Sequence, residues 1–180
     1  MTALPGAPPA MVTAADGGGP GVPVPAVARL WPTGARPVVV RGWEPPATPY
    51  GPGHRGVDLA AVPGSPVRAV APGRVAFAGR VAGRGVVSVE PAGTGDPPLR
   101  TTYEPVRASV REGAEVTAGE IVGTLEPATA SHCPDGCLHW GLRRAGAYLD
   151  PLALLPPWLL TGGPSRLLPV LGVPLPPRQP

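Results

Sequence analysis

Residues that break or bend regular structure are spread so densely through this chain that it cannot be built from long helices. Twenty-six glycines and 30 prolines fall among its 180 residues. Proline removes a backbone donor and clashes inside a helix, and glycine costs the most backbone entropy to order. A hydrophobic share of 43% nevertheless calls for a core. The two facts agree if short strands, joined by Gly and Pro turns, form the centre of the chain, and the expectation is an all-β fold. The length suits one domain with flanking tails. Residues 1–28, with the run Gly17-Gly18-Gly19-Pro20, show no sustained period and are expected to be disordered. The domain is expected over 29–155, followed by a Pro-rich tail over 156–180.

Strand candidates succeed one another along the centre. Val38-Val39-Val40 comes first, and the Pro-rich segment from Glu44 to Pro52 then leads as a loop into His54. Val67 to Val70 and Arg74 to Ala78 are separated by the turn signal Pro72-Gly73. Val86 to Val89 and Thr101-Thr102-Tyr103 come next, and Pro105 marks the end of an interior strand. Val110, Gly113, Val116, Gly119, Val122 and Gly123 recur at a spacing near three that glycine bars from being a helix face, so they read as tight turns between short strands. Asp150-Pro151-Leu152-Ala153-Leu154-Leu155 reads as a short helix with Asp at the N-cap and Pro at the first position. Trp31, Trp43, Trp140 and Trp158 read as core or groove packing, and Arg143 and Arg144 as a solvated loop.

Charge excludes more than it suggests. The net charge is +3, every basic residue is an arginine, the arginines are scattered, and aromatics are only 4%, so no nucleic-acid surface is expected. No apolar run approaches the roughly 20 residues that span a bilayer. The first 28 residues lack a basic segment followed by an uninterrupted apolar one, so no signal peptide is evident. The glycines carry no nucleotide fingerprint, because neither Gly79 to Gly85 nor the N-terminal run precedes a helix signal.

The chemistry concentrates in two places. Gly53-His54-Arg55-Gly56-Val57-Asp58 and, some way on, Leu138-His139-Trp140 offer two histidines and a carboxylate, the ligand set of an open zinc site with a fourth position left for water. His54 and Asp58 are four residues apart, so on an extended strand both leave the same face. The competing reading makes His54 an exposed loop histidine and His139 a hydrogen-bonded core residue.

With these residues in view, the segment from about Val38 to Leu155 resembles the lysostaphin-like, LytM-type zinc metallopeptidases, which cut peptide cross-links in bacterial peptidoglycan. The match runs through Gly53-His54-Arg55-Gly56-Val57-Asp58-Leu59 for H-x-G-x-D. It continues in Gly64-Ser65-Pro66-Val67-Arg68-Ala69 and Gly73-Arg74-Val75, then in the Val110 to Gly123 run, with Val122 in place of Ile, and in Leu138-His139-Trp140. The resemblance implies an antiparallel β-sheet or sandwich-type core with a groove, and one zinc ion held by His54, Asp58 and His139. It further implies a cell-envelope or extracellular location, peptidoglycan peptides as substrate and a monomeric enzyme.

The chain departs from the family pattern at two histidines. Pro105 stands where one belongs in Tyr103-Glu104-Pro105-Val106, and Cys137 where the other belongs in Cys137-Leu138-His139. Each lost acid or base typically costs a factor of about 100 to 10,000. The alternative is therefore a catalytically degenerate domain that binds peptidoglycan or regulates a partner cell-wall hydrolase. Glu104 is the candidate base, but lying one residue off register it is expected to face away on a regular strand unless a bulge at Pro105 turns it inwards. Cys137 shares a strand face with His139 and could be a fourth ligand. Cys133-Pro134-Asp135-Gly136-Cys137 is also a turn that a disulfide could close, the favoured reading for an exported protein. A self-contained structural zinc site of His132, Cys133, Cys137 and His139 is the third option.

Overall fold

The computed structural model describes residues 23–48, 51–130, 132–133 and 135–161. The fold is all-β. Eleven strands run in chain order: β1 Val39–Arg41, β2 Gly56–Ala60, β3 Pro66–Arg68, β4 Gly73–Val81, β5 Arg84–Pro91, β6 Leu99–Glu104, β7 Val106–Ala108, β8 Glu115–Val116, β9 Ile121–Leu125, β10 Cys137–Arg144 and β11 Ala147–Leu149. The main sheet has the order β1-β2-β10-β6-β5-β4-β8, with β11 paired to β10, and a second sheet has the order β3-β9-β7. All of these pairs are antiparallel.

Alternation decides which face of each strand enters the core. In β6, Leu99, Thr101 and Tyr103 are buried while Arg100, Thr102 and Glu104 are only half-buried, so the odd positions pack inwards and the even ones line the opposite face. Tyr103, Leu138, Trp140, Leu142, Val87 and Val89 meet in the core beneath the sheet. Trp31 and Trp140 pack edge to face with ring centroids 6.3 Å apart. The Trp140 Nε1–H donates to Thr101 Oγ1 at 2.6 Å and the Trp31 Nε1–H to the Leu159 carbonyl at 3.1 Å. The closely spaced turns expected between Val110 and Gly123 are present, with Gly113 and Gly119 at φ of 82° and 88°, where a side chain would be strained.

Several local expectations are corrected. Asp150 does act as an N-cap, its carboxylate accepting the Leu152 N–H at 2.9 Å, but the capped element is one turn of 3-10 helix over Pro151–Leu154. Arg143 and Arg144 end strand β10 and do not sit in a loop. Trp158, in the short helix α1 Pro157–Thr161, is 62% exposed, because Leu159 and Leu160 are the residues of that turn packed against the core. Val24 and Val27 also pack against the core, and the Ala28 N–H donates to the Leu154 carbonyl at 2.9 Å, so the domain takes in the end of the segment read as loose. Residues 1–22 and 162–180, which hold most of both expected tails, lie outside the described residues. Among the described residues no helix is long and apolar enough to cross a membrane.

Candidate metal centre

Strand register assembles the site. Asp58 on β2 is the cross-strand partner of His139 on β10, and on the far side His139 is the partner of Glu104 on β6. Cross-strand partners project from the same face, so the three side chains form one row over three strands. His54 precedes β2 and is held by a bridge to Glu44, its N–H donating to the Glu44 carbonyl at 2.8 Å. His54 and Asp58 are therefore not on one continuous strand, yet their side chains converge. His54 is buried, which removes the exposed-loop reading, and His139 turns its ring towards Asp58, away from the core.

The convergence is tight. His54 Nε2 lies 3.1 Å from Asp58 Oδ1 and 3.1 Å from His139 Nδ1, and His139 Nδ1 lies 2.8 Å from Asp58 Oδ1. A tetrahedral zinc with bonds of about 2.0–2.1 Å spaces its ligand atoms roughly 3.3–3.4 Å apart. The triangle is thus within a few tenths of an ångström of what a metal requires. His54 Nδ1 lies 2.6 Å from the Gly42 carbonyl, which can only accept, so Nδ1 carries a proton and Nε2 is the nitrogen turned towards Asp58 and His139. Without a metal, a proton on His139 Nδ1 can serve both neighbours; with a metal, the three lone pairs converge on one point.

His132 completes the cluster, its Nε2 2.7 Å from the other oxygen of the same carboxylate, Asp58 Oδ2. The donor atoms of His54, Asp58, His132 and His139 all lie within 4.8 Å of one another, so the set could hold a metal ion. Burial alone would raise the Asp58 pKa, but hydrogen bonds to His139 and His132, with their charge, outweigh it and hold the carboxyl at about 2. Sequence position groups His132 with the cysteines only. The signal that could have placed it is Cys133, whose disulfide to Cys137 ties the neighbouring residue to the strand that carries His139.

Gly56, the glycine of H-x-G-x-D, makes room for this arrangement. A Cβ there would lie 2.7 Å from His139 Nε2 and would also strike the Trp140 carbonyl. Beside the row opens a cavity of about 440 Å³ lined by His139, Glu104, Arg55, Arg143, Tyr148 and Phe77 among others. The Arg55 and Arg143 guanidinium carbons lie 5.4 and 5.9 Å from the centre of the Tyr148 ring. Glu104 lines this cavity together with His139, contrary to the expectation that it faces away. Tyr103 is the residue of that pair turned into the core, and alternation then presents Glu104 to the groove.

The model of peptidase family M23 matches residues 52–151, a span that includes His54, Asp58 and His139. The chain belongs to peptidase family M23. Solved M23 structures share the fold. The catalytic domain of the prophage-encoded M23 protein EnpA from Enterococcus faecalis, solved as a point mutant, is 26% identical with a TM-score of 0.53, covering 66% of this chain and 91% of that one. The catalytic domain of the antimicrobial peptidase lysostaphin from Staphylococcus simulans is 22% identical with a TM-score of 0.55, covering 69% and 93%. An uncharacterized protein of Mycobacterium tuberculosis is 46% identical over 129 residues, which is 69% of this chain and 50% of the relative. The chain thus spans about half the length of the curated relatives it matches. Pro105 lies just past the end of β6, and Cys137 is joined to Cys133 by a disulfide.

Proposed function

We propose that this M23 chain is a zinc-dependent endopeptidase of the bacterial cell envelope that cuts peptide cross-links of peptidoglycan, with one zinc held by His54, Asp58 and His139. The observation that carries the reading is the triangle of His54 Nε2, Asp58 Oδ1 and His139 Nδ1 beside a groove open to solvent. Zinc would supply Lewis acidity towards a peptide carbonyl and bring the pKa of water towards about 7. The Gly42 carbonyl fixes the tautomer of His54, the outer contact that orients a metal-binding imidazole. Glu104, in the row beside His139, is the group placed to take a proton from water and return it to the leaving amine. Arg55 and Arg143, packed on Tyr148, offer positive charge to the carboxylates of a wall peptide. The disulfide supports an oxidising compartment, outside the cytoplasm.

The test is release of peptide from purified peptidoglycan by the zinc-loaded protein and by His139→Ala. Release by the wild type alone is expected. Equal release by both, or none by either, removes the peptidase reading. A second reading is favoured by one specific observation, the disulfide occupying Cys137 where an acid or base is usual for the family. In that case the groove binds wall peptide, or regulates a partner hydrolase, without cutting. Retention of the protein on peptidoglycan with no peptide released would select it.

A further inference from the structure

Asp58 has two oxygens with different neighbours, and the division continues beyond it. Oδ1 faces His54 and His139, whereas Oδ2 faces His132, the residue next to Cys133. Donor atoms of Asp58, His132, Cys133 and Cys137 also lie within 4.8 Å of one another. Both cysteines are buried, Cys133 at 9% exposure and Cys137 at 0%. Cys137 enters β10 opposite Ala60, two positions along the ladder from the Asp58 and His139 pair, so it projects on the same face as Asp58. The two cysteines are separated by three residues, within the two to four that commonly part paired zinc cysteines.

We propose that reduction of the Cys133–Cys137 disulfide creates a second metal site from Asp58, His132, Cys133 and Cys137, which takes the ion away from the His54, Asp58 and His139 set. The proposal rests on the reading of that set as a metal site, but not on catalysis. The step balances with a dithiol reductant: the S–S bond breaks, two electrons and two protons convert the sulfurs to thiols, and the reductant leaves as its own disulfide. Thiolates then bind the metal as their protons are released. Soft thiolate ligands favour zinc, so the new set outcompetes a set of two imidazoles and one carboxylate. An ion in each set would place two dications on the one Asp58 carboxylate, and their repulsion favours handing one ion over to gaining a second. The thiolate set has four protein ligands and no open position, the closed pattern of a structural zinc site. Reduced protein therefore keeps its metal in a form closed to substrate, and exchange with a small-molecule disulfide, which takes up the two electrons and two protons and leaves as two thiols, re-forms the Cys133–Cys137 bond and returns the metal to the open set.

The experiment is cobalt(II) titration of the full chain, oxidised and reduced, followed by ultraviolet and visible absorption and by competition with a chromophoric chelator. One cobalt per chain is expected in both states. An intense thiolate-to-cobalt absorption appears only on reduction, together with binding at least about tenfold tighter. His54→Ala is expected to lose cobalt when oxidised and to bind it with the full thiolate absorption when reduced. The Cys133→Ser/Cys137→Ser double variant is expected to show no such absorption in either state. Reduced wild type that binds cobalt without the thiolate absorption, or that takes up a second ion while the first stays, overturns the proposal. Failure of the oxidised protein alone to bind cobalt counts against the open set instead, so the two failures are distinguishable.

Discussion

His139 and Glu104 face each other across the β10 and β6 ladder, and both line the same groove. The carboxylate of Glu104 thus stands beside a candidate metal ligand without belonging to the triangle that would bind the ion. Glu104→Gln keeps the size of the side chain and removes its ability to take a proton. Peptide release is expected to fall by a factor of about 100 to 10,000, while zinc content stays at one per chain. A fall of less than about tenfold would exclude Glu104 as the base.

Gly56 has no space for a side chain, and the atoms that would be struck are the His139 ring and the Trp140 backbone. The backbone carbonyl cannot yield without breaking the β2 and β10 pairing, so Gly56→Ala is expected to displace His139. The expected outcome is a folded protein of reduced stability whose zinc affinity falls about tenfold or more, the scale on which misplacing a supporting group weakens metal sites. Circular dichroism with zinc competition separates the two effects. Unchanged affinity would show that the ring adjusts freely.

The fold was legible wherever alternation and turn chemistry act locally. The valine-rich runs became β4 and β5, the Gly113 and Gly119 turns fell between short strands, and Asp150 capped the adjoining 3-10 turn. His54, Asp58 and His139 were legible as candidates because two short motifs carry them. What could not be read depends on contacts between distant segments. The facing of Glu104 depends on which side of β6 the core claims, and the core claims Tyr103 through packing that no single strand encodes. His132 reaches Asp58 from a loop whose path is set by a disulfide. The exposure of Trp158 reflects Leu159 and Leu160 winning the same core face.

Trp31 joins the N-terminal segment to the sheet that carries the site. Its ring meets Trp140, the residue after His139, and its indole N–H ties down the Leu159 carbonyl. Trp31→Ala removes a buried ring from a well-packed interface, and such truncations typically cost about 3–5 kcal/mol. Chemical denaturation should show a loss of this size. If the cavity also lets Trp140 shift, zinc affinity falls with stability. A loss below about 1 kcal/mol would mean that the N-terminal segment does not pack on the domain in solution.

Tyr103 gives the fold an alkaline limit. Burial pushes its pKa from 10.0 up to about 12, against the opposing effect of hydrogen bonds with Thr101 and the Val70 backbone. In the unfolded chain the phenol would ionise near 10, so between about pH 10 and 12 the unfolded state sheds a proton that the native state retains. The contribution of Tyr103 to stability is therefore complete below pH 10 and is lost as the pH rises through 12, with a total on the order of 3 kcal/mol. Denaturation of wild type and Tyr103→Phe at intervals from pH 8 to 12 checks this. The phenylalanine variant has no phenol to ionise, so its stability should decline less over the upper half of that range. Parallel declines in the two proteins would show that alkaline unfolding is governed by other groups.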